Sequence, residues 1–398
     1  MIAPWLAILG IGEDGWLSEP ARALLAGAEL VVGGARHLAL VGEAGGSRRL
    51  TWSSPLAESL AVIAGMRPRP VVVLASGDPY CYGVGNTLAD IVPAAERLCI
   101  PAPSAFTLAC ARLGWAMQDC ATVSFCGRPL APLLPLLQPG ARILALSADA
   151  GTPAVVASML QAGGFGTATL HVLEALGGPR ERIRTAPAAR FRMPDVQMLN
   201  MLAIEVAGGP AIPLAPGLDD ALFDHDGQIT KREVRAVTIS ALAPRRGERL
   251  WDVGAGSGSI GIEWLLRHPA NRAVAIERDP VRATRAARNA VALGVPHLHV
   301  AQGAAPASLA GLPRPDAVFI GGGAQSPGVI DAGWAALPAG GRLVANAVTI
   351  ATEAALLAAH ARFGGTLSRI GIERLDRIGG MEGYRPAMTV TQWAAVKP

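Results

Sequence analysis

Short apolar runs, each closed within a few residues by glycine, serine or aspartate, recur along the whole chain. In the first half they are Leu6 to Ile11, Leu30 to Gly33, Pro70 to Ala75 and Ala141 to Ser147. Runs of this length predict buried strands, and Pro20 to Ala28 and Thr107 to Leu113 carry helical character between them. The second half repeats the theme with Arg249 to Val253, Ala273 to Glu277, Ala317 to Ile320 and Arg342 to Ala345, at intervals that suit crossover helices. Apolar strands alternating with helices predict parallel sheets covered on both faces. The expected fold class is α/β, with two α/β domains in tandem. The seam between them is Gly208 to Leu218, GGPAIPLAPGL, whose three prolines and three glycines sustain neither a helix nor a central strand. Val196 to Val206 before it is expected to be a terminal strand. The division is therefore 1–207, a linker at 208–218, and 219–398. No short internal repeat suggests a solenoid.

Composition narrows the class. Of 398 residues, 51% are hydrophobic and 17% charged, with a mean hydropathy of +0.34, which excludes a disordered chain. The longest uncharged stretch, Ala150 to Leu173, is broken by Gly151, Pro153, Gly163, Gly164 and Gly166, so it predicts a helix, a turn and a strand rather than a membrane span. The N-terminus lacks a basic leader and suits a first strand rather than a signal peptide, and the expected location is cytoplasmic. Five cysteines, none in a C-x-x-C pair, fit reduced thiols and argue against a disulfide framework or a metal site. The net charge of +4 is uneven: up to Pro210 fifteen arginines face fifteen acidic residues, and beyond it twenty Lys and Arg face sixteen. Without a basic run, nucleic acid is not the expected partner; a small polyanionic ligand suits the excess.

Leu250 to Val253 leads into Gly254-Ala255-Gly256-Ser257-Gly258-Ser259-Ile260-Gly261 and then a helix. Alternate glycines allow a sharp turn and close approach of a ligand to the backbone. No Lys-Ser or Lys-Thr follows, so a P-loop is excluded. Asp252 precedes the first glycine by two positions, and the next strand ends at Glu277, where a carboxylate can accept both ribose hydroxyls of an adenosyl group. Asp279 and Pro280 open the next helix and Gly294 stops it. An adenosylmethionine site, a dinucleotide site of an NAD-dependent oxidoreductase and a purely structural turn all remain open at this point.

The D-x-G-x-G-x-G arrangement resembles the class I S-adenosylmethionine methyltransferases, a Rossmann-like fold. That resemblance implies that the loop Gly254, Ala255, Gly256, Ser257 and Gly258 supports the cofactor's methionine and ribose. Asp252 would help to place the ammonium end, and Gly303, Ala304 and Ala305 would contact adenine. Thr230, which opens the capping box Thr230-Lys-Arg-Glu233, would touch the cofactor carboxylate.

The first half carries Leu9-Gly10-Ile-Gly12, Gly77-Asp78-Pro79-Tyr-Cys-Tyr82-Gly83 and Pro101-Ala-Pro-Ser104-Ala105. In this order and spacing the three motifs resemble the class III methyltransferases of tetrapyrrole biosynthesis. Val31 to His37, Phe125-Cys-Gly-Arg-Pro129 and Leu173 to Pro179 are similar to the C5-methylating cobalt-precorrin branch. His225 to Arg235 with the glycine loop is similar to its C15-methylating, decarboxylating partner. Fused in one chain, the halves resemble the precorrin-6Y C5,15-methyltransferase (decarboxylating) family of cobalamin biosynthesis. Three positions depart from that pattern: Ala102 and Pro103, where relatives often carry glycine and another small residue, and Ala304, where an acidic residue is frequent.

The resemblance implies two S-adenosyl-L-methionine sites per chain, the first at Gly10, Gly77, Asp78, Pro79, Ser104, Ala105 and Gly177. It also implies an anionic tetrapyrrole substrate, no membrane partner and a homo-oligomer, a tetramer in relatives of the second half. Candidate cations for the substrate carboxylates are Lys231, Arg232, Arg235 and Arg385; Glu382 and Tyr384 are candidate acid–base residues. A tetrapyrrole-binding protein with only its C-terminal domain catalytic is the alternative of a different class.

Overall fold

The computed structural model describes residues 4–42 and 46–398. The chain forms two compact units: Met1–Leu130 with Gln138–Pro210, and Ala131–Leu137 with Ala211–Pro398. The continuous sequence-based boundaries do not foresee that Ala131–Leu137 groups with the second unit.

In the first unit, β1 (Leu6–Ile11), β2 (Leu30–Gly33), β3 (Arg48–Thr51), β4 (Val71–Ser76) and β5 (Arg97–Ile100) form a parallel sheet in the order β3-β2-β4-β1-β5. Alternation along β1 sends Leu6 and Ile8 into one apolar cluster and Ala7, Leu9 and Ile11 into the other, so both faces are covered.

A second sheet contains β6 (Cys120–Ser124), β7 (Arg142–Leu146), β8 (Thr169–Glu174), β9 (Arg182–Pro187) and β10 (Asn200–Glu205), in the order β6-β7-β10-β8-β9. Only β6 and β7 run parallel; the other pairs are antiparallel, which corrects the expectation of parallel sheets throughout. The reason is local. Too few residues separate β8 from β9 for a crossover, so they pair as a hairpin. Glu174, with no exposed surface, braces that hairpin by accepting from Arg182 Nε at 2.8 Å and Arg184 Nε at 3.0 Å. The strand expected over 196–206 is shorter and starts at Asn200.

The second unit holds β11 (Arg249–Val253), β12 (Arg272–Glu277), β13 (His299–Gln302), β14 (Ala317–Ile320), β15 (Arg342–Ala347), β16 (Thr366–Ile370), a two-stranded ribbon of β17 (Glu373–Ile378) and β18 (Met381–Pro386), and β19 (Val390–Val396). The main sheet runs β13-β12-β11-β14-β15-β19-β16, with β19 antiparallel to both of its neighbours. The chain leaves β11 toward β12 on one side and returns to β14 on the other. Strand order therefore reverses between β11 and β14, and ligands of open α/β sheets bind outside the carboxyl ends of strands at such a point.

The segment expected to be a linker is partly core. Leu218 is fully buried, and the N–H groups of Gly217 and Leu218 donate to Glu263 at 2.7 and 2.9 Å. Among the described residues no helix is long and apolar enough to cross a membrane, and the five cysteines are free.

Candidate functional site

At the carboxyl end of β11 the chain turns so tightly that the N–H groups of Gly254 and Ala255 both donate to Ile276 O, at 2.9 and 3.1 Å. Gly254 has φ +73°, and a β-carbon there would lie 2.8 Å from Gly322 N, so the loop packs backbone to backbone against the segment after β14. Gly258, also left-handed, caps the Ser259–Arg267 helix. Two carboxylates frame the loop. Glu277, 5% exposed, accepts from Gly256 N at 2.8 Å and from Asp279 N at 3.0 Å, which fixes its plane and leaves lone pairs free. Gly303 N donates to Glu277 O at 2.9 Å, bringing the loop of Gly303, Ala304 and Ala305 beside that carboxylate.

Asp252 is 1% exposed; its Oδ2 accepts from Gly261 N at 2.9 Å, and its Oδ1 has no partner. Burial pushes the Asp252 carboxyl up to about 7; the Gly261 N–H opposes the rise and the Glu277 carboxylate adds to it. Ser257 Oγ is likewise buried without a partner. A strained glycine cradle with an orphaned carboxylate oxygen fits a ligand that presents a cation and N–H donors, as the ammonium end of adenosylmethionine does.

Three motifs meet in the first unit. Gly77 N donates to Ile11 O at 3.1 Å, and Ala102 N to Gly77 O at 3.1 Å. A β-carbon on Gly10 would stand 2.0 Å from Gly77 O and 2.4 Å from Ala102 N, so only glycine allows these loops to touch. Beside them opens a cleft of about 370 Å³ lined by Gly77, Asp78, Ser104 and Ala105, with Leu74, Leu108, Leu173 and Met201 among its apolar walls. Ser104 caps the Ala105–Leu113 helix through Thr107 N at 3.1 Å, and Asp78 Oδ1 accepts from Tyr80 N at 2.8 Å. Pro79 and Gly177 do not line the cleft. Pro79 is buried, its carbonyl accepting from Gly85 N at 2.9 Å, and Gly177 N donates to Glu181 at 2.6 Å.

The cleft also contains polar groups that sequence reasoning missed. Asn200 Oδ1 and Ser147 Oγ are buried on its wall without partners. Asn200 had a visible signal, a lone amide opening an apolar strand. Arg36 donates to His37 Nε2 at 2.9 Å and to Ser76 Oγ at 2.8 Å, and pairs with Glu13. Burial, with the Arg36 charge beside it, holds the His37 imidazole down at about 4, so the ring is neutral and its Nε2 is the acceptor.

The tetrapyrrole (corrin/porphyrin) methylases match residues 6–191, and the precorrin methyltransferase domain matches residues 221–397. A precorrin-6Y C(5,15)-methyltransferase [decarboxylating] from Sinorhizobium sp is 56% identical over 402 residues, covering 100% of this chain and 97% of the relative. The chain belongs to the precorrin-6Y C5,15-methyltransferase (decarboxylating) family. The Mycobacterium tuberculosis (strain CDC 1551 / Oshkosh) member is 41% identical over 98% of this chain and 100% of its own length. The crystal structure of the C-terminal domain of the Rhodobacter capsulatus precorrin-6Y C5,15-methyltransferase is 46% identical, covers 46% of this chain and 100% of that chain, and has a TM-score of 0.44. Membership makes the chain a decarboxylating methyltransferase and sets the NAD-dependent oxidoreductase aside.

Several expectations for this precorrin-6Y methyltransferase family chain need correction. Arg235 is not a free cation for substrate: it has no exposed surface and is bound to Glu263 at 2.5 Å, to Asp220 at 3.0 Å, to Thr230 O at 2.5 Å and to Leu218 O. Breaking such a buried pair costs about 3–5 kcal/mol, so the residue is structural. The capping box fails as well. The Arg232–Leu242 helix starts with Lys231 as its N-cap, without a side-chain cap; the Thr230 carbonyl accepts from Arg235, and Glu233 pairs with Arg374. Lys231 and Arg232 remain exposed at that helix start. Arg385 is exposed and pairs with Asp376 at 2.8 Å. Glu382 and Tyr384 share one face of the exposed β17–β18 ribbon, outside the main sheet. Among the described residues no three His, Cys, Asp or Glu side chains cluster as metal ligands.

Proposed function

We propose that each half of the chain holds its own S-adenosyl-L-methionine and that together they methylate precorrin-6Y at C5 and C15 and remove carbon dioxide from the ring C acetate, giving precorrin-8. The observation that carries the reading is the presence, in one chain, of two glycine-built turns at the carboxyl ends of parallel strands, one in each unit: Gly10 packed on Gly77 beside the first cleft, and Gly254 packed on Gly322 in the second unit. In the second unit, Asp252, Glu277 and the 254–258 loop would hold the cofactor. In the first unit, Asp78, Ser104, Asn200 and Ser147 would supply the polar contacts. The bound cofactor supplies a methyl group on a sulfonium, a carbon electrophile.

The chain's own part is mostly positioning. Methyl transfer disperses charge, so holding donor and acceptor carbons in line supplies most of the acceleration. Apolar walls such as Leu173 and Met201 keep water from the first cleft. Decarboxylation breaks the bond between the acetate methylene and its carboxylate carbon, which leaves as carbon dioxide; the electron pair passes into the conjugated macrocycle, and a proton from solvent then completes the methyl group left on ring C. The exposed Lys231 and Arg232 are the second unit's candidate anchors for substrate carboxylates. The homo-oligomer expected from resemblance remains part of this reading.

Titrating the full chain with S-adenosylhomocysteine, and separately turning over precorrin-6Y with S-adenosyl-L-methionine, tests it. Two equivalents and a product with two new methyl groups and one carboxylate fewer are expected; a single equivalent would leave only one half catalytic.

The Asp252 proton gives a separate check. Its folded pKa of about 7 lies above the ordinary aspartate value of 3.8, so its contribution to stability is full below about 3.8 and is lost as pH rises through 7. A cationic ligand beside Oδ1 favours the carboxylate. Cofactor binding to the second unit should therefore release a proton near pH 6.5, seen by calorimetry in buffers of different ionisation enthalpy. Asp252→Asn should remove that release; an unchanged release would place the proton elsewhere.

A further inference from the structure

The first cleft is large enough for a nucleoside-sized ligand, about 370 Å³, but not for a tetrapyrrole as well, so the methyl acceptor has to lie across its rim. Cys126 lines that cleft, and two residues on Arg128 lines an adjoining concavity of about 250 Å³. The two cavities also meet at neighbouring residues, Ser147 on the cleft and Ala148 on the concavity. Arg128 therefore stands where a macrocycle leaving the first cleft would arrive.

Its guanidinium lies 5.3 Å from the centroid of the Tyr82 ring, whose residue lines the cleft. That ring is fixed on three sides. Its edge meets Phe106 at 5.9 Å between centroids, its hydroxyl donates to Thr122 O at 3.2 Å, and its backbone is left-handed with φ 55°. A tyrosine in that conformation costs energy and persists where the surroundings impose it, commonly at ligand sites. Arg36, the arginine that lines the cleft itself, is paired with Glu13, which Arg180 also approaches at 3.8 Å. Arg128 is exposed and makes no salt bridge among the described residues. Asp149, on the wall of the concavity, is occupied through Oδ1 with Gly151 N, Thr152 N and Thr152 Oγ1.

We propose that Arg128, held over Tyr82 at the rim of the first cleft, binds a peripheral carboxylate of the tetrapyrrole and orients the macrocycle for methylation at C5; this rests on the function proposed above. A planar guanidinium takes a carboxylate through two parallel N–H donors, which fixes direction as well as distance. Stacking on a fixed ring pre-orders the fork, so little side-chain freedom is lost on binding.

The test uses the full chain with Arg128→Gln and Arg128→Lys, the new methyl being located at C5 by NMR. Arg128→Gln is expected to raise the KM for the tetrapyrrole on the order of tenfold, with kcat for C5 transfer within about twofold and S-adenosylhomocysteine affinity unchanged at both sites. Arg128→Lys should recover part of that loss, and the gap between wild type and Arg128→Gln should narrow in high salt. A wild-type KM in Arg128→Gln, a parallel loss of homocysteine-product affinity, or a KM increase that neither lysine nor salt alters would overturn the assignment. If the unaltered chain places no methyl at C5, the proposed function fails instead, and that outcome is visible before any variant is made.

Discussion

Gly10→Ala is expected to eliminate the first site while sparing the second. The new methyl group would sit 2.0 Å from Gly77 O and 2.4 Å from Ala102 N, both backbone atoms. Neither can yield easily, because Gly77 and Ala102 are joined at 3.1 Å and Gly77 is tied to Ile11 at 3.1 Å. Overpacking of this kind typically costs about 1–3 kcal/mol, and rigid backbone on two sides places this case at or above the upper end. The variant should bind one equivalent of S-adenosylhomocysteine instead of two, make no C5-methylated product and unfold its first half at lower temperature. A variant that keeps both equivalents and C5 methylation would show that the three touching loops are not the cofactor site.

The second large effect is expected from Glu277→Ala. This carboxylate orients Gly256 N and Asp279 N and is the residue proposed to take the ribose hydroxyls. Truncation removes the ligand contact and strands two N–H groups in a nearly buried position, a loss of about 1–3 kcal/mol for each unsatisfied group. Affinity at the second site should fall on the order of a hundredfold or more, with C15 methylation lost and C5 methylation retained. Glu277→Gln, which keeps an acceptor and the side-chain volume, should fall between the two. Wild-type affinity at both sites in Glu277→Ala would remove the ribose assignment.

These two positions also show what could be read from the sequence. Glu277 was legible because a charged residue closing an apolar run, 21 positions after Gly256, is a local signal. β1, β2, β11 and β14 coincide with the apolar runs that announce them, since a strand covered on both faces needs uninterrupted apolar residues. Strand direction was not legible. β8 and β10 bury apolar residues much as parallel strands do, and only the short connection from β8 to β9 and the insertion of β10 between β7 and β8 make those pairs antiparallel. Arg235 was misread for a related reason: a cation three residues after an exposed helix start looks solvent-facing, and its partners Glu263 and Asp220 lie 28 and 15 positions away. Asn200 and Ser147 escaped because their value depends on a cavity that forms only when distant strands assemble.

The buried clamp around Glu263 has a practical consequence for anyone wishing to separate the two halves. Its ligands begin at Gly217 and Leu218, ahead of the boundary at 219 that the prolines suggest. A truncated polypeptide that opened at Asp219 would discard two main-chain donors and leave a dehydrated carboxylate answered by Arg235 alone. Cutting further upstream, at the Pro210–Ala211 peptide, keeps the whole assembly on one side of the scissors. A cut there should destabilise the second half less than one eight residues later, although either leaves Ala131–Leu137, which groups with the second unit, on the first piece.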